Sequence, residues 1–333
     1  MKAAVFTGVG QPLQIRQLPD PEPGPGEVIL KVNRCGICAT ELHMTSIEDT
    51  MFPSGMILGH EVSGEIIAVG PGVREFKPGD AVVPMTSRGC EKCIHCLSGH
   101  FFLCTERRFN WGGYAQYMVS SALSCVRVPA GCSLADAALV EPLAVGLLGI
   151  TSAPVRLGDR VLVIGAGPIA LAAVYWAERS GARRVAVVAP SNRRARLAMD
   201  MGAAAFITMD EGYEDEVVHA LDGHPDVVVE CAGVTGAIAQ AIDLAKIDGT
   251  VVILGFCTCA DTFVPINALY KRLKLHFCLG TDKGQFEIAA DALSRGFIAP
   301  RSMVTSTISL DDVPTEFEAL RGRTAQCKVL IAP

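Results

Sequence analysis

The chain has 333 residues, 50% hydrophobic and 19% charged, which is enough apolar material for one large domain or two ordinary ones, and we expect two. The formal net charge of −6 provides no basic stripe for a phosphate backbone, which argues against nucleic acid as a partner and favours small metabolites. The opening residues lack the long apolar stretch of a secretory signal, so we expect a cytoplasmic protein.

The chain also contains 13 cysteines, and in a protein without an export signal metal binding is the leading reason for any cysteine cluster. The longest uncharged run, residues 161–177, contains two glycines and a proline near its start. This run is typical of a strand, a turn and a helix, so we expect no membrane span.

Residues 1 to about 150 consist of short apolar runs broken by glycine and proline, as in PDPEPGPGEVILKV and VGPGVREFKPGDAVV. This pattern predicts a domain rich in β-strands and loops. Within it, the stretch CGICATELH places Cys35 three positions before Cys38. The spacing alone allows a redox pair, half of a structural metal site, or one ligand of a metal whose other ligands lie elsewhere.

A second stretch, GHEVSGEIIAVGPGV, contains the adjacent residues His60 and Glu61. Such a pair is commonly an ordinary hydrogen-bonded pair. With Cys38 upstream and Glu141 downstream in VEPLAV, however, the sequence offers one Cys, one His and a carboxylate. This set of ligands suits an open zinc site whose remaining position takes a substrate oxygen.

Four more cysteines follow one another in GCEKCIHCLSGHFFLC with the spacing C-x2-C-x2-C-x7-C. They are Cys90, Cys93, Cys96 and Cys104. One compact loop of this kind can wrap four thiolates around a tetrahedral ion, and we predict a closed, structural zinc site. An iron-sulfur cluster and unpaired structural cysteines are the alternatives.

From Arg160 the apolar runs RVLVIG, RRVAVVA, AAFITM, PDVVVECAG and TVVILG alternate with segments of helical length. This alternation predicts a parallel sheet with helices on both faces. The first run continues into VLVIGAGPIA, where Gly165 and Gly167 allow a tight turn and the approach of a pyrophosphate. Pro168 and Ile169 open the helix that follows, and we predict a dinucleotide site at this turn.

At the end of the next strand, an NAD-binding protein would present an acid to the ribose, but this chain has Ala189. The residues after it include Ser191, Arg193 and Arg194, which can bind and neutralise a 2′-phosphate. The sequence therefore favours NADP over NAD, although arginines that simply open a solvated helix are the alternative. After residue 280 the alternation fades, and the last stretch looks like a helix and a closing strand.

Taken together, these motifs resemble the zinc-dependent medium-chain alcohol dehydrogenases over essentially the whole chain. GHEVSGEIIAVGPGV matches the zinc signature of that family, and EPLAV is similar to its sorbitol and threonine dehydrogenase branch. The resemblance implies an α/β fold in which residues 1–150 and 289–333 form a GroES-like, β-rich catalytic domain. Residues 151–288 are expected to form a Rossmann coenzyme domain with a doubly wound parallel sheet.

The resemblance also implies roles for individual residues. Glu141 is the expected third ligand of a catalytic zinc held by Cys38 and His60, with Glu61 as the alternative carboxylate. Thr40 is implied as the hydroxyl that relays the substrate proton, and His43 as the next group of that relay. The family usually has Asp at position 41, where this chain has Glu41, so the hydrogen bond that would orient His60 is expected to differ.

The expected activity is interconversion of a secondary alcohol or polyol and its ketone by a homodimer or homotetramer with NADP(H), one catalytic zinc and one structural zinc per chain. Thr86, Phe109 and Trp111 are candidate walls of the substrate pocket by their position in the family. One alternative is an NAD-dependent polyol or amino-alcohol dehydrogenase. Two further alternatives are less favoured. Zinc-free quinone or enone reductases of the same superfamily generally lack the cysteine loop and the zinc signature, and this chain has both. A nonenzymatic NADPH-binding zinc protein would need no open metal site.

Overall fold

The computed structural model describes residues 1–153, 155–296 and 299–333. The chain forms two compact units, one made of Met1–Glu141 with Gly280–Pro333 and the other of Pro142–Leu279. The boundaries predicted from the sequence, at 150 and 288, fall farther along the chain. They lie inside the helices Val140–Ser152 and Lys283–Ser294.

The N-terminal part of the first unit is built mainly of strands, because glycine and proline divide its apolar sequence into short runs. Its strands are β1 (Lys2–Val5), β2 (Gln14–Gln17), β3 (Glu27–Gly36), β4 (Glu61–Val69), β5 (Ala81–Pro84), β6 (Ser87–Arg88), β7 (Arg108–Phe109), β8 (Tyr117–Ser121) and β9 (Cys125–Arg127). Its helices are α1 (Ala39–Met44), α2 (Ile94–Leu97) and α3 (Leu134–Ala137), with a 3₁₀ turn at Phe101–Leu103.

The second unit is a parallel sheet with helices between its strands, and helix α4 leads into it. Its helices are α4 (Val140–Ser152), α5 (Pro168–Arg179), α6 (Ala195–Asp200), α7 (Tyr213–Leu221), α8 (Ala237–Leu244) and α9 (Pro265–Tyr270), with a 3₁₀ turn at Asn192–Arg194. Its strands are β10 (Arg160–Ile164), β11 (Arg184–Ala189), β12 (Ala205–Thr208), β13 (Val227–Glu230), β14 (Thr250–Ile253) and β15 (Lys274–Phe277).

All neighbouring strands of this sheet are parallel, in the order β12-β11-β10-β13-β14-β15. The central strands are rich in buried valine and other small aliphatic residues, as strands covered on both faces require. The predicted doubly wound Rossmann sheet is therefore confirmed.

The end of the chain returns to the first unit. Its elements are α10 (Lys283–Ser294), β16 (Val304–Ser309), α11 (Val313–Ala319) and β17 (Lys328–Ala332), with 3₁₀ turns at Ala299–Met303 and Leu310–Asp312. β17 pairs antiparallel with β3 and parallel with β16, which gives a sheet in the order β16-β17-β3-β4-β5-β9 with β8 also paired to β3. This pairing brings Lys328, the first residue of β17, to the end of β3.

The buried core of the first unit surrounds the segment that contains His60 and Glu61. Leu58 and Val62, on either side of that pair, are fully buried in this core, and Cys35 is buried with them. Side chains fixed in a packed core have little freedom, so this segment is a rigid support for a site. Within the described ranges, no helix is both long and apolar enough to cross a membrane.

Candidate active site

Three candidate metal ligands come together in the first unit. Cys38, His60 and Glu61 each offer one ligand atom, and these atoms lie within 4.8 Å of one another. Cys38 caps the N-terminus of α1, two residues after the end of β3, and His60 directly precedes β4. Because Gly36 of β3 pairs with Glu61 of β4, the register of these two strands brings the cysteine beside the histidine.

Glu41, in the first turn of α1, holds the ring of His60. Its Oε1 lies 2.8 Å from His60 Nδ1 and accepts the N–H of Gly59 at 2.9 Å. With Nδ1 engaged by the carboxylate, Nε2 is the ring nitrogen left for a metal. Glu41 is thus long enough to make the orienting bond that the family usually makes with aspartate.

The charges around His60 favour its protonated form. Burial opposes that form, but the Glu41 carboxylate and Cys38 outweigh the burial and raise the pKa of His60 well above its usual value. Burial would likewise raise the pKa of Glu41, but the charge of His60 and its hydrogen bond lower it. A cation bound at this place therefore competes with a proton for the imidazole.

Glu61 is paired with a lysine that the sequence did not single out. Lys328 Nζ donates to Glu61 Oε1 at 2.6 Å and to the carbonyl of Ile37 at 3.1 Å, and both side chains of the pair are buried. Burial alone would lower the pKa of Lys328, but Glu61 and Cys38 raise it, so the lysine stays charged. Its signal in the sequence was weak, a single charged residue at the start of the apolar run KVLIA.

The other carboxylate oxygen of Glu61 is buried and has no hydrogen-bond partner among the described residues. Glu61 belongs to the same group as the Cys38 thiol and the His60 imidazole, and an unpartnered buried oxygen on such a residue is what a vacant ligand position would present. One sulfur, one nitrogen and one carboxylate oxygen are also the ligand types that zinc accepts. The residues present therefore fit a zinc ion with an open position.

Glu141 lies in the first turn of α4 and is buried, but it is outside the group of three ligand atoms. Burial raises its pKa to about 7, with His60 and Lys328 acting in the opposite direction and Glu61 adding to the rise. Glu141 is therefore electrostatically linked to the same cluster. A bound cation would favour its ionised form.

Thr40 and His43 lie on α1. Thr40 falls between Cys38 and Glu41 in the sequence, and His43 follows Glu41 by two positions. They are three positions apart, so their side chains lie on the same side of the helix, and both are partly buried. Their role in proton transfer stays a prediction.

The four cysteines of the predicted structural site also converge. The thiols of Cys90, Cys93, Cys96 and Cys104 lie within 4.8 Å of one another. Cys93 Sγ and Cys96 Sγ are 3.5 Å apart, and a Cβ at Gly89 would lie 2.2 Å from Cys96 Sγ, so the loop needs glycine there. Four thiols this close, with no fifth ligand in the group, fit a closed tetrahedral zinc site.

The local environment gives these thiols different pKa values. Backbone N–H groups of Lys92 and Cys93 lower the pKa of Cys90 to about 7, whereas burial raises the pKa of Cys96 to about 12. A cation shared by the four sulfurs would stabilise all of them as thiolates.

Two of the three candidate pocket residues form an aromatic group beside His60. Trp111 stacks on the His60 ring with centroids 4.4 Å apart, and Phe109 lies 5.0 Å from Trp111. Phe52, which the sequence did not single out, lies 5.0 Å from Trp111 at a steep angle. Phe109 and Trp111 also line an open cavity of about 360 Å³. The carbonyl of Thr86 accepts the N–H of Asn110, the residue between them, at 3.0 Å.

In the second unit, the glycine turn joins β10 to α5. Gly165 has a φ of 104°, and a Cβ there would lie 3.2 Å from the backbone nitrogen of Ala232, so both the backbone conformation and the space call for glycine. Gly167 caps α5, and a Cβ there would meet no atom within 4 Å. Pro168 and Ile169 begin the helix, so the N–H groups of its first turn have no acceptor within the helix and can donate to a pyrophosphate.

The residues expected to select the coenzyme follow β11. Ala189 is buried at the end of this strand, and Ser191 caps the 3₁₀ turn that contains Arg193 and Arg194. Arg194 donates to the carbonyl of Ala166 in the glycine turn at 3.3 Å, while Arg193 is exposed. The arginine segment therefore lies directly against the glycine turn.

Comparisons with known proteins agree with this architecture. Residues 24–130 match the alcohol dehydrogenase GroES-like domain, and residues 168–295 match the zinc-binding dehydrogenase family. The sorbitol dehydrogenase of Gallus gallus is 33% identical over 326 residues, which covers 93% of this chain and 90% of that protein.

Two similar solved structures align with 100% of this chain, and each alignment covers 99% of the solved chain. One is a zinc-binding dehydrogenase of Sinorhizobium meliloti bound to NADP, 31% identical with a TM-score of 0.89. The other is the 2R,3R-butanediol dehydrogenase of Bacillus subtilis, 28% identical with a TM-score of 0.88. On the strength of these matches and of the two cysteine-containing sites, the chain belongs to the zinc-dependent medium-chain alcohol dehydrogenase family.

Proposed function

We propose that this protein is a zinc-dependent oxidoreductase that interconverts a secondary alcohol or polyol and its ketone, with NADP(H) as the hydride carrier. The observation that carries the proposal is the convergence of Cys38, His60 and Glu61 ligand atoms within 4.8 Å. The glycine turn of the second unit supports it, because an alcohol oxidation needs a hydride acceptor. The named sorbitol and butanediol dehydrogenases among the relatives support alcohol or polyol chemistry.

In the proposed site, Cys38 and His60 hold the zinc together with the carboxylate of Glu61 or Glu141. A zinc ion there lowers the pKa of an alcohol hydroxyl and polarises a ketone carbonyl. Lys328 balances the charge of Glu61, which limits repulsion among the acids of this buried region. Glu41 fixes the ring of His60, so the imidazole keeps its ligand nitrogen in place.

The proton of the alcohol has to leave a buried site. We assign the first step to the Thr40 hydroxyl, which accepts the proton at Oγ and passes its own toward His43. The position of both residues on one side of α1 supports this order. An imidazole is a suitable end of such a relay because its ordinary pKa lies near neutrality.

NADP is the coenzyme that best suits the end of β11. Ala189 provides no carboxylate to repel a 2′-phosphate, and Arg193 and Arg194 provide positive charge beside the glycine turn. A relative that is 31% identical has been solved with NADP bound, which supports the same choice.

The four-cysteine loop is proposed to hold the second zinc, with a structural role. For the substrate pocket, Phe109 and Trp111 are proposed as walls because their group stacks on His60. A cytoplasmic location and assembly as a homodimer or homotetramer stay predictions from the sequence and the family.

The experiment is a screen of secondary alcohols, polyols and ketones against the zinc-loaded protein with NADP(H) and NAD(H) side by side, read by the absorbance of the reduced nicotinamide. We expect turnover with NADP(H) and at least 10-fold lower kcat/KM with NAD(H). Strong preference for NAD would contradict the coenzyme assignment and favour the NAD-dependent polyol or amino-alcohol alternative.

Two variants sharpen the screen. Ala189→Asp restores the acid that NAD-binding proteins present and should shift the ratio of kcat/KM values toward NAD(H) by about 10-fold or more, because a buried carboxylate repels the 2′-phosphate. Thr40→Val removes the relay hydroxyl without a large change in volume and should lower kcat while coenzyme binding stays unchanged. If Thr40→Val turned over like the wild type, the relay would be wrong.

A further inference from the structure

Glu41 receives a hydrogen bond from a residue that lies far away in the sequence. The hydroxyl of Tyr114 donates to Glu41 Oε2, and the tyrosine is fully buried. We propose that Tyr114 is a positioning residue for the catalytic zinc, acting through Glu41 on the ring of His60. This inference rests on the proposed function, because it concerns how tightly the same site holds its metal.

The carboxylate of Glu41 accepts four donors, two on each oxygen. Oε1 lies 2.8 Å from His60 Nδ1 and accepts the N–H of Gly59 at 2.9 Å. Oε2 accepts the N–H of Cys38 at 3.0 Å and the Tyr114 hydroxyl. Three of these four donors belong to a proposed ligand or its chain neighbour, and Tyr114 is the exception.

Tyr114 is itself firmly placed. Its N–H donates to the carbonyl of Leu58 at 2.9 Å, and its own carbonyl accepts the N–H of Ala4 at 2.8 Å. Its ring fits against the loop before His60, because a Cβ at Gly59 would lie only 2.6 Å from the ring. The ring also packs edge to face on Phe317 at 6.4 Å. The hydroxyl therefore reaches Glu41 from a fixed support.

The role of this hydroxyl follows from the length of the glutamate. Glu41 has one more rotatable bond than an aspartate, so its carboxylate needs more partners to be held in one orientation. The Tyr114 hydroxyl supplies one at Oε2, whereas His60 contacts Oε1. Groups that orient a ligating histidine typically change metal affinity by 10- to 100-fold when they are removed.

A purely structural role is the competing explanation, because a buried tyrosine in a core also contributes through packing. The two explanations differ in what a single missing hydroxyl does. Packing predicts a lower stability of the metal-free protein with unchanged zinc affinity. Positioning predicts weaker zinc binding at the Cys38 site even where the fold is intact.

The test is Tyr114→Phe, which removes the hydroxyl and keeps the ring. Zinc affinity of the Cys38 site is measured by competition with a chelator, and the same site is loaded with Co²⁺ to record its absorption spectrum. We expect about 10-fold weaker zinc binding, an altered cobalt spectrum and an unchanged four-cysteine site. The matched control is Tyr175→Phe in the second unit, whose buried hydroxyl has no hydrogen-bond partner in the described part of the chain; this control should bind zinc like the wild type.

A second variant, Glu41→Asp, draws the carboxylate back from Tyr114 and closes a double-mutant cycle. If the two residues act through one hydrogen bond, the loss of zinc affinity in the double variant is smaller than the product of the two single losses. If Tyr114→Phe does not fold, Glu41→Asp must by itself weaken zinc binding and alter the cobalt spectrum.

The outcomes separate this inference from the proposed function. Zinc affinity and cobalt spectrum of Tyr114→Phe equal to the wild type, or fully multiplicative losses in the cycle, would overturn the positioning role alone. A wild-type protein that binds no metal at the Cys38 site would overturn the proposed function, and with it the inference.

Discussion

The buried pair of Lys328 and Glu61 gives the sharpest prediction about the site region. Lys328→Met removes the charge but keeps a chain of similar length, so a change in packing contributes little. Lys328 is 1% exposed and Glu61 is 0% exposed, and their atoms are 2.6 Å apart. After the substitution, Glu61 would be a buried carboxylate without its counter-charge.

The magnitude follows from that burial. Removing one partner of a buried ion pair costs about 3–5 kcal/mol, because the remaining charge stays desolvated. We therefore expect the free energy of unfolding of the first unit to fall by about 3–5 kcal/mol. An exposed pair of the same geometry would be worth under about 1 kcal/mol.

The assay is urea unfolding of the protein with the zinc of the Cys38 site removed, so that no bound cation replaces the lysine charge beside Glu61, followed by tryptophan fluorescence. The chain has 2 tryptophans, and Trp176→Phe leaves Trp111, which stacks on His60, as the reporter of the first unit. The control is the double variant Glu61→Gln/Lys328→Met, which should recover part of the loss because no charge is left behind. A loss below about 1 kcal/mol in Lys328→Met would refute the reasoning.

Three further predictions concern other parts of the molecule. Gly165→Ala should lower the free energy of unfolding by about 1–2 kcal/mol, measured by urea titration, because Gly165 has a left-handed backbone conformation. Gly167→Ala should change that free energy by under about 0.5 kcal/mol and still weaken NADPH binding, measured by fluorescence titration. Cys96→Ser should reduce the zinc content by one ion per chain and lower the melting temperature, measured by metal analysis and calorimetry. Burial would raise the pKa of Asp226, but hydrogen bonds from its lysine partner and the backbone lower it, so its contribution is present above about pH 4 and lost as the pH falls through the lowered value. Asp226→Asn should therefore cost about 1 kcal/mol at neutral pH and progressively less in acid, and an equal loss at both pH values would contradict this account.

The sequence predicted the fold well where the signals are local. The buried runs of β10, β11 and β13 and the glycines of GAGPIA are short-range patterns typical of a parallel sheet with a glycine-rich turn. The four cysteines lie within 15 residues of one another in the sequence, so their spacing was sufficient to predict that the thiols converge. The boundaries between the units were less accessible, because α4 and α10 begin close to the divisions and carry no local signal for them.

The rest of the site depends on contacts between distant segments. Cys38 and His60 are adjacent because β3 pairs with β4, and the register of that pairing cannot be read from the sequence. Lys328 reaches Glu61 across 267 positions, and Tyr114 reaches Glu41 across 73. Contacts of this kind are set by the sheet order and by core packing. The sequence indicated them only weakly, through a charged or aromatic residue among apolar ones.

The most direct test of the central claim is metal analysis of Cys38→Ser beside the wild type, with NADPH binding and turnover measured on the same preparations. The account predicts two zinc ions per chain in the wild type and one in the variant, with NADPH binding retained and turnover lost. Turnover that persists in a preparation shown to hold no metal at the Cys38 site would contradict it.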